Sequence, residues 1–157
     1  MGYDKENVIV IERAGVLAEQ QQAFVDELKN IPGVKSTAAS GSLPINQYFG
    51  IQFQVPGKSE VFTTNGMIID DEYAEMIGFE IVQGRGFSNE YSDSLSILIN
   101  EQTVALLGVE NPIGMIFKNT NGNPPVTRDL TIIGVVRDFN YMSLRERITP
   151  FVYSAQK

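Results

Sequence analysis

Four carboxylates lie close together at residues 70–75, where they could do chemistry. Asp70, Asp71, Glu72 and Glu75 supply the convergent oxygens that acid–base catalysis or a hard cation requires. The same residues begin a segment with helical spacing, and negative charge at the start of a helix is stabilised by the helix dipole. We therefore favour helix capping for this group over a catalytic or metal site.

Nucleophilic catalysis has little support in this sequence. The chain has no Cys and no His, which excludes thiolate nucleophiles, zinc–thiolate sites and the usual Ser-His pairs. Ser40 and Ser42 lie outside a Gly-x-Ser-x-Gly turn, and nothing in the spacing supports pairing either with Lys35 or Lys58. We predict no catalytic residue, no cofactor and no metal ligand.

The Gly84-x-Gly86 sequence resembles a fragment of a phosphate-binding loop. A dinucleotide fingerprint needs a third glycine and a helix that starts at the loop, whereas a polar loop follows here. A structural turn is the favoured interpretation. Glu90 and Asp93, in that polar loop, are expected at the solvated surface.

Two aromatic residues, Tyr48 and Phe49, precede a strand pattern in which Ile51 and Phe53 are expected to face the core. Tyr48 and Phe49 are expected in a loop. There they form either an exposed contact patch or buried anchors of the loop. Both residues are therefore candidate partner contacts. Burial as anchors of the loop stays open as the alternative.

A second candidate contact region closes a long apolar strand with Arg137, Asp138, Phe139 and Asn140. A strand end followed by a turn explains Asp138 and Asn140. The alternative is an Arg137–Asp138 ion pair or a contact with a partner. All four residues are candidates for a partner surface.

The composition describes an acidic globular chain. Among 157 residues there are 12 Lys and Arg against 19 Asp and Glu, a net charge of −7, which opposes attraction to nucleic acid or anionic lipid. No apolar run approaches the roughly 20 residues that cross a bilayer. The start of the chain also lacks the apolar core of a signal peptide.

The pattern of elements predicts an α+β fold. Val8–Ile11 reads as a strand, the apolar face of residues 17–28 as a helix, and the segment from Val34 as a second strand, which together make a β-α-β unit. Further strands are expected at 51–55, 61–69 and 97–99. A short helix should begin after Asp70 or Asp71 and another after Asn100, and residues 113–118 and 129–137 should form a hairpin.

Several sequence blocks, in order, resemble the periplasmic core domain of MacB-type, FtsX-like ABC transporter permeases. Single blocks are weak, but their order and spacing cover nearly the whole chain. They are Gly2–Val8, Ile31–Val34, Gly84–Ser88, Ile99–Glu101, Leu107–Gly108, Asn111–Gly114 and Ile132–Asn140.

The resemblance implies one extracytoplasmic domain, residues 1–157, in two lobes. A mixed α/β porter-like lobe would take residues 1–95 and 141–157 and begin with the β-α-β unit. A β-rich sabre-like lobe with a short helix and a hairpin would take residues 96–140. Members of the family usually continue past Pro150–Val152 with another β-α-β unit, and this sequence stops at Lys157.

The same resemblance implies a non-catalytic role at the periplasmic face of the inner membrane. The domain would transmit ATP-driven conformational change for export or extraction of a peptide, lipid-linked or hydrophobic substrate. Its partners would be the rest of the permease, an ATP-binding subunit, and a second permease copy or a periplasmic adaptor. A free-standing periplasmic ligand-binding or sensor module is the alternative, because one fold serves several functions.

Overall fold

The chain folds as a mixed sheet with short helices, in a computed structural model that describes residues 7–41, 48–120, 128–139 and 147–155. No helix within these ranges is long and apolar enough to cross a membrane. The helices are a 3-10 helix at Ala14–Gln20, α1 at Gln21–Lys29, α2 at Asp71–Ile77, a 3-10 turn at Asp93–Leu95 and α3 at Glu101–Leu107. The strands are β1 at Phe49–Gln54, β2 at Val61–Ile69, β3 at Ile81–Gly84, β4 at Ser96–Asn100, β5 at Ile116–Asn119, β6 at Arg128–Val136 and β7 at Phe151–Ala155.

The described strands pair in the order β3-β6-β4-β7-β2-β1-β5, and β5 also pairs with β6. This second pairing, antiparallel along residues 116–119 and 128–131, closes the sheet into a ring. The β1–β5 contact that completes the ring is short, with two registered pairs at Phe53 and Gln54. Strand β7 lies in the middle, parallel to β2 and antiparallel to β4.

Both faces of the sheet are covered, as the sequence of β4 requires. All five of its residues are buried, and because side chains alternate along a strand, its apolar residues divide between two clusters. Ile97 and Ile99 join the first cluster, in which the rings of Phe53 and Phe117 stack at 3.8 Å between centroids. Leu98 joins the second cluster, which α2 covers through Tyr73.

The sequence rules for helix ends explain where α2 and α3 begin and stop. Asp70 accepts a hydrogen bond from the Tyr73 N–H at 2.8 Å, and Asn100 accepts one from the Thr103 N–H at 3.0 Å. Each helix ends at a glycine in the left-handed conformation, which glycine adopts without steric cost. Both predicted helices are confirmed, as is the capping role of Asp70.

A buried polar group joins α3 to the middle of the sheet. The Asn100 Oδ1 atom also accepts from the Thr103 hydroxyl at 2.8 Å and from the Phe151 N–H at 2.9 Å, while its Nδ2 donates to the Thr149 carbonyl at 2.9 Å. The Thr103 hydroxyl in turn contacts the Phe151 carbonyl at 3.0 Å. Every polar atom of the Asn100 side chain is therefore paired within the core.

Two glycines allow β3 and the loop after it to approach β6 closely. A Cβ on Gly84, whose φ is +72°, would lie 2.2 Å from the Ile133 carbonyl oxygen, and one on Gly134 would lie 2.2 Å from the Arg85 carbonyl oxygen. Real Cβ atoms do not come this close to backbone. The structural-turn interpretation of Gly84-x-Gly86 is confirmed at Gly84, where β3 ends.

The α+β class is confirmed, and so are the strands expected at 51–55, 61–69 and 97–99 and the hairpin of β5 and β6. The first predicted helix is confirmed at Gln21–Lys29, whereas Leu17 lies in the preceding 3-10 helix, which is interrupted at Ala18. The predicted apolar face is only half-buried, at Leu17, Phe24, Val25 and Leu28. The lobe boundaries stay a prediction, and strands from both predicted lobes pair in one sheet.

The prediction of two strands in a β-α-β unit at the start of the chain is wrong. Residues 8–11 form no strand, and their side chains are 49–88% exposed. From Val34 the chain makes only an isolated bridge, between Ser40 and Ile69. β-branched residues favour a strand when a neighbouring strand supplies packing and hydrogen bonds, and no described strand pairs with residues 8–11.

We expect Asn100→Ala to lower the free energy of unfolding by about 2–4 kcal/mol, because it removes a helix cap and leaves buried donors unpaired. Urea denaturation followed by circular dichroism measures this. The control is Asn89→Ala, which loses one exposed hydrogen bond to Asp71 and should change stability by less than about 0.5 kcal/mol. Equal effects from the two substitutions would contradict the role given to Asn100.

Gly134→Ala should destabilise the protein by about 2–3 kcal/mol, because the added methyl group meets backbone that has to move. Its matched control is Gly50→Ala on β1, where an added Cβ meets nothing within 4 Å and the change should stay within about 1 kcal/mol. Thermal denaturation of the two variants compares them directly. A Gly134 variant as stable as the Gly50 variant would show that β3 does not need this close approach.

Candidate functional site

Two of the predicted contact residues, Tyr48 and Phe139, are brought together on the second face of the sheet. The Tyr48 ring meets Phe151 edge-on at 5.0 Å between centroids, and the Phe139 ring lies 5.0 Å from Phe79. Phe79 in turn meets Tyr153 at 4.8 Å. These distances are typical of aromatic pairs that stabilise a core beyond their buried area. Tyr48 and Phe139 are therefore opposite parts of one aromatic cluster.

This aromatic cluster encloses a very small cavity. Its volume is about 10 Å³, close to the space of a single water molecule. Pockets that hold a drug-sized ligand measure about 300–1,000 Å³, so the cluster packs as core and has no room for such a ligand. The cavity is lined by Tyr48, Met67, Tyr73, Ile77, Phe79, Phe139, Phe151 and Tyr153.

Arg137 and Asp138 are held by other elements and do not pair with each other. Arg137 forms an ion pair with Glu80 at 2.8 Å, and its N–H donates to the Glu80 carbonyl. Asp138 accepts from the Gln102 side chain at 2.7 Å, and its N–H donates to a Glu101 carboxylate oxygen at 2.9 Å. The prediction of an Arg137–Asp138 ion pair is therefore wrong, because each side chain pairs with a residue on another segment.

The remaining candidates are Phe49 and Asn140. Phe49 is the first residue of β1, not a loop residue, and is 37% exposed. Its ring covers Gly66 on β2, where a Cβ would lie 2.9 Å from the ring edge. Asn140 lies outside the described residues. A partner contact at any of the six candidates stays a prediction.

Sequence reasoning missed the ion pair between Arg85 and Asp93. Two parallel hydrogen bonds join the guanidinium to the carboxylate, at 2.9 and 2.7 Å, and the Ser96 hydroxyl donates to the same carboxylate at 2.9 Å. Asp93 is buried, whereas the Arg85 side chain is 37% exposed and lies over the Tyr91 ring at 4.1 Å. The expectation that Asp93 is solvated is therefore wrong.

The Arg85 guanidinium, and then the Ser96 and Ser88 donors, lower the pKa of Asp93 to about 2 against the opposing effect of burial. The carboxylate therefore stays charged at any physiological pH. The pair fixes the loop after β3 against the start of β4. The arginine eight residues before the aspartate was the only sequence pattern that could have suggested it, and that spacing belongs to no regular element.

Three of the four carboxylates at residues 70–75 interact with separate partners. Besides capping α2, the Asp70 carboxylate accepts from the Ala39 N–H at 2.6 Å, and Glu72 pairs with Lys29 at 2.5 Å. Asp71 accepts from Asn89 at 2.6 Å. Burial raises the pKa of Asp70, while its bonds to the Ala39 and Tyr73 N–H groups oppose the rise. These carboxylates position α2 and its neighbours.

This α+β fold is similar to that of solved extracytoplasmic domains of ABC transporters and to that of a permease domain. The periplasmic region of MacB from Actinobacillus actinomycetemcomitans matches with a TM-score of 0.58 at 20% identity, over 85% of this chain and 54% of that one. The extracellular domain of the ABC-type transporter YknZ from Gram-positive bacteria matches with a TM-score of 0.59 at 18% identity, over 85% and 61%.

A domain of a protein assigned as a permease from Porphyromonas gingivalis matches with a TM-score of 0.59 at 18% identity, over 81% of this chain and 52% of that one. The chain thus spans between 52% and 61% of the length of these solved structures. No protein-family model matches the sequence, and no curated protein matches it. The resemblance stated from the sequence is confirmed at the level of the fold.

We expect Asp93→Asn to lower the free energy of unfolding by about 2 kcal/mol at pH 7. The folded pKa lies below the unfolded value of 3.8, so this stability is complete above about pH 4 and is lost as the pH falls towards 2. The difference between parent and variant should therefore shrink over that interval. Urea denaturation at several pH values measures it.

Glu90→Gln, in the same loop, is the control for this experiment. Glu90 is exposed, so its substitution should change stability by less than about 0.5 kcal/mol at pH 7. If the difference between the parent and Asp93→Asn is the same at pH 7 and near pH 2, the carboxylate does not supply the stabilisation.

Proposed function

We propose that this chain is a non-catalytic extracytoplasmic domain of an ABC transporter permease. It lies at the periplasmic face of the inner membrane and transmits conformational change driven by ATP hydrolysis in a separate subunit or domain. The transported molecule is a peptide, a lipid-linked molecule or a hydrophobic compound. The observation that carries the proposal is the fold shared with MacB and YknZ.

The position of β7 suits a transmitting domain. It pairs along residues 151–155 with β2 on one side and along 152–154 with β4 on the other. The buried Asn100 side chain also holds its first residue, Phe151. A displacement applied to β7 is therefore shared with both neighbouring strands and with α3. Such a strand moves the sheet as a body, because packed interiors deform little.

The surface supports contact with other parts of a permease more than storage of a ligand. Apolar side chains of the N-terminal segment are exposed, including Ile9 at 88% and Val16 at 81%, and exposed apolar patches mark contact surfaces. The partners are the rest of the permease and its ATP-binding subunit, with a second permease copy or a periplasmic adaptor. A free-standing ligand-binding module would need a much larger cavity than that of the aromatic cluster.

Thiol labelling of the full-length gene product tests this location. The chain has no cysteine, so Ala105→Cys, on the exposed side of α3, adds a single thiol to it. In cells whose inner membrane is intact, a membrane-impermeant maleimide should label this thiol as fully as it does after lysis. Val152→Cys is the control, because the Val152 side chain is fully buried and a thiol there should not react in the folded protein.

Transmission is tested with Ala105→Cys and with a second variant, Ala23→Cys, in membranes supplied with ATP. The rate of labelling at Ala105→Cys, or at Ala23→Cys on α1, should differ between the nucleotide-free and vanadate-trapped states if the domain moves during the cycle. Labelling only after the inner membrane is broken would contradict the location. Identical rates at both positions in the two nucleotide states would contradict transmission.

A further inference from the structure

The N-terminal arm, defined as residues 14–34, contains no fully buried side chain. Neither its 3-10 helix nor α1 contains a buried residue. Val16 is 81% exposed, Ile31 49% and Val34 37%. In most proteins the stability of a helix comes from burying one apolar face, so an arm without a fully buried side chain is held only weakly against the sheet.

A short segment after the arm is firmly tied to the end of β2. The Asp70 N–H donates to the Ala39 carbonyl at 3.0 Å, and the Ala39 N–H donates back to the Asp70 carboxylate at 2.6 Å. The Gly41 N–H donates to the Ile68 carbonyl at 2.7 Å. Residues 39–41 therefore move with the sheet.

Few polar contacts join the arm to the sheet domain. Among the described residues, the arm and the sheet domain share a single ion pair, that of Lys29 and Glu72 at 2.5 Å. The two side chains are 38% and 40% exposed, so water and salt reach the pair. Glu72, Asp26 and Asp70 surround Lys29 and raise its pKa, so the lysine stays charged and the attraction depends on salt.

Thr37 lies between the arm and the anchor. Its hydroxyl is buried, and it has no hydrogen-bond partner in the described part of the chain. Buried polar groups are nearly always paired, and an unpaired one destabilises the arrangement that contains it. An arrangement in which water reaches this hydroxyl removes that destabilisation.

We propose that the N-terminal arm swings relative to the sheet about residues 35–37. Residues 38–41 are the fixed anchor, since Ala38 packs against the second cluster, and Lys29–Glu72 is a reversible latch. An exposed ion pair shifts an equilibrium by only about twofold to fivefold, so this latch biases the arm and does not lock it. Its use in transport rests on the proposed function, whereas the swing itself is a property of this chain.

Two spin labels on the 157-residue chain measure the swing. The labels are placed at Ala23→Cys on α1 and Ala105→Cys on α3, two exposed positions in a chain without cysteine. Double electron–electron resonance then gives the distribution of distances between the arm and the sheet domain. The labelled parent should show a main distance and a minor population of swung arms.

Charge reversal at the latch should change these populations. Lys29→Glu alone, or Glu72→Lys alone, should raise the ratio of swung to latched arms by at least about twofold to fivefold. The double variant, Lys29→Glu with Glu72→Lys, should restore the parent distribution. Arg137→Glu is the matched control, because it reverses a charge in another exposed ion pair that joins two segments of the sheet domain. It should leave the distribution unchanged.

Salt provides a second measurement that does not depend on any charge variant. Raising the ionic strength from about 0.01 M to about 1 M shortens the screening length from about 30 Å to about 3 Å, and it should release the arm as the single reversals do. Circular dichroism confirms that each variant is folded.

The latch is overturned if single reversals and salt leave the distribution as it was, or if the double variant fails to restore it. It is also overturned if Arg137→Glu releases the arm equally. Since these distances are measured on the isolated chain, they are independent of the labelling experiment in cells. The location can hold while the latch fails, and the latch can hold while the location fails.

Discussion

The arrangement of the sheet depends on one buried side chain, that of Asn100. It ends β4, caps α3 and accepts a hydrogen bond from Phe151 at the start of β7. An amide can be buried at low cost only when its donors and acceptors are paired, and here Thr103 and the Thr149 carbonyl complete the set. The direction of α3 and the position of β7 between β2 and β4 are therefore fixed together.

The sheet domain and the N-terminal arm are held in place by different interactions. Within the sheet, stability comes from residues such as Ile97 and Phe117, which are completely buried, and a packed interior of this kind has few alternative arrangements. The arm has no fully buried side chain, and one solvent-exposed ion pair joins it to the sheet domain among the described residues. Such a boundary between a rigid body and a weakly held segment is where low-energy movement is expected.

Local rules predicted much of this fold because they act over a few residues. Asp70 and Asn100 cap helices as their sequences indicate, and the alternation of Ile51 and Phe53 correctly places both in the core. The failures share another cause. Residues 8–11 have strand propensity but no strand beside them, and Asp93 is buried because Arg85 reaches it through the fold. Tyr48 and Phe139 belong to one aromatic cluster only because Phe151 and Tyr153 on β7 lie between distant segments. Pairing between segments is a property of the tertiary structure, and no local pattern contains it.

The sequence blocks that suggested the permease family have geometric roles in the structure. Gly84 and Gly134 permit backbone contacts that no side chain allows, and Asn100 occupies the buried polar centre. Residues of this kind constrain how strands approach and where helices begin, because replacing them moves backbone or leaves a buried polar group unpaired.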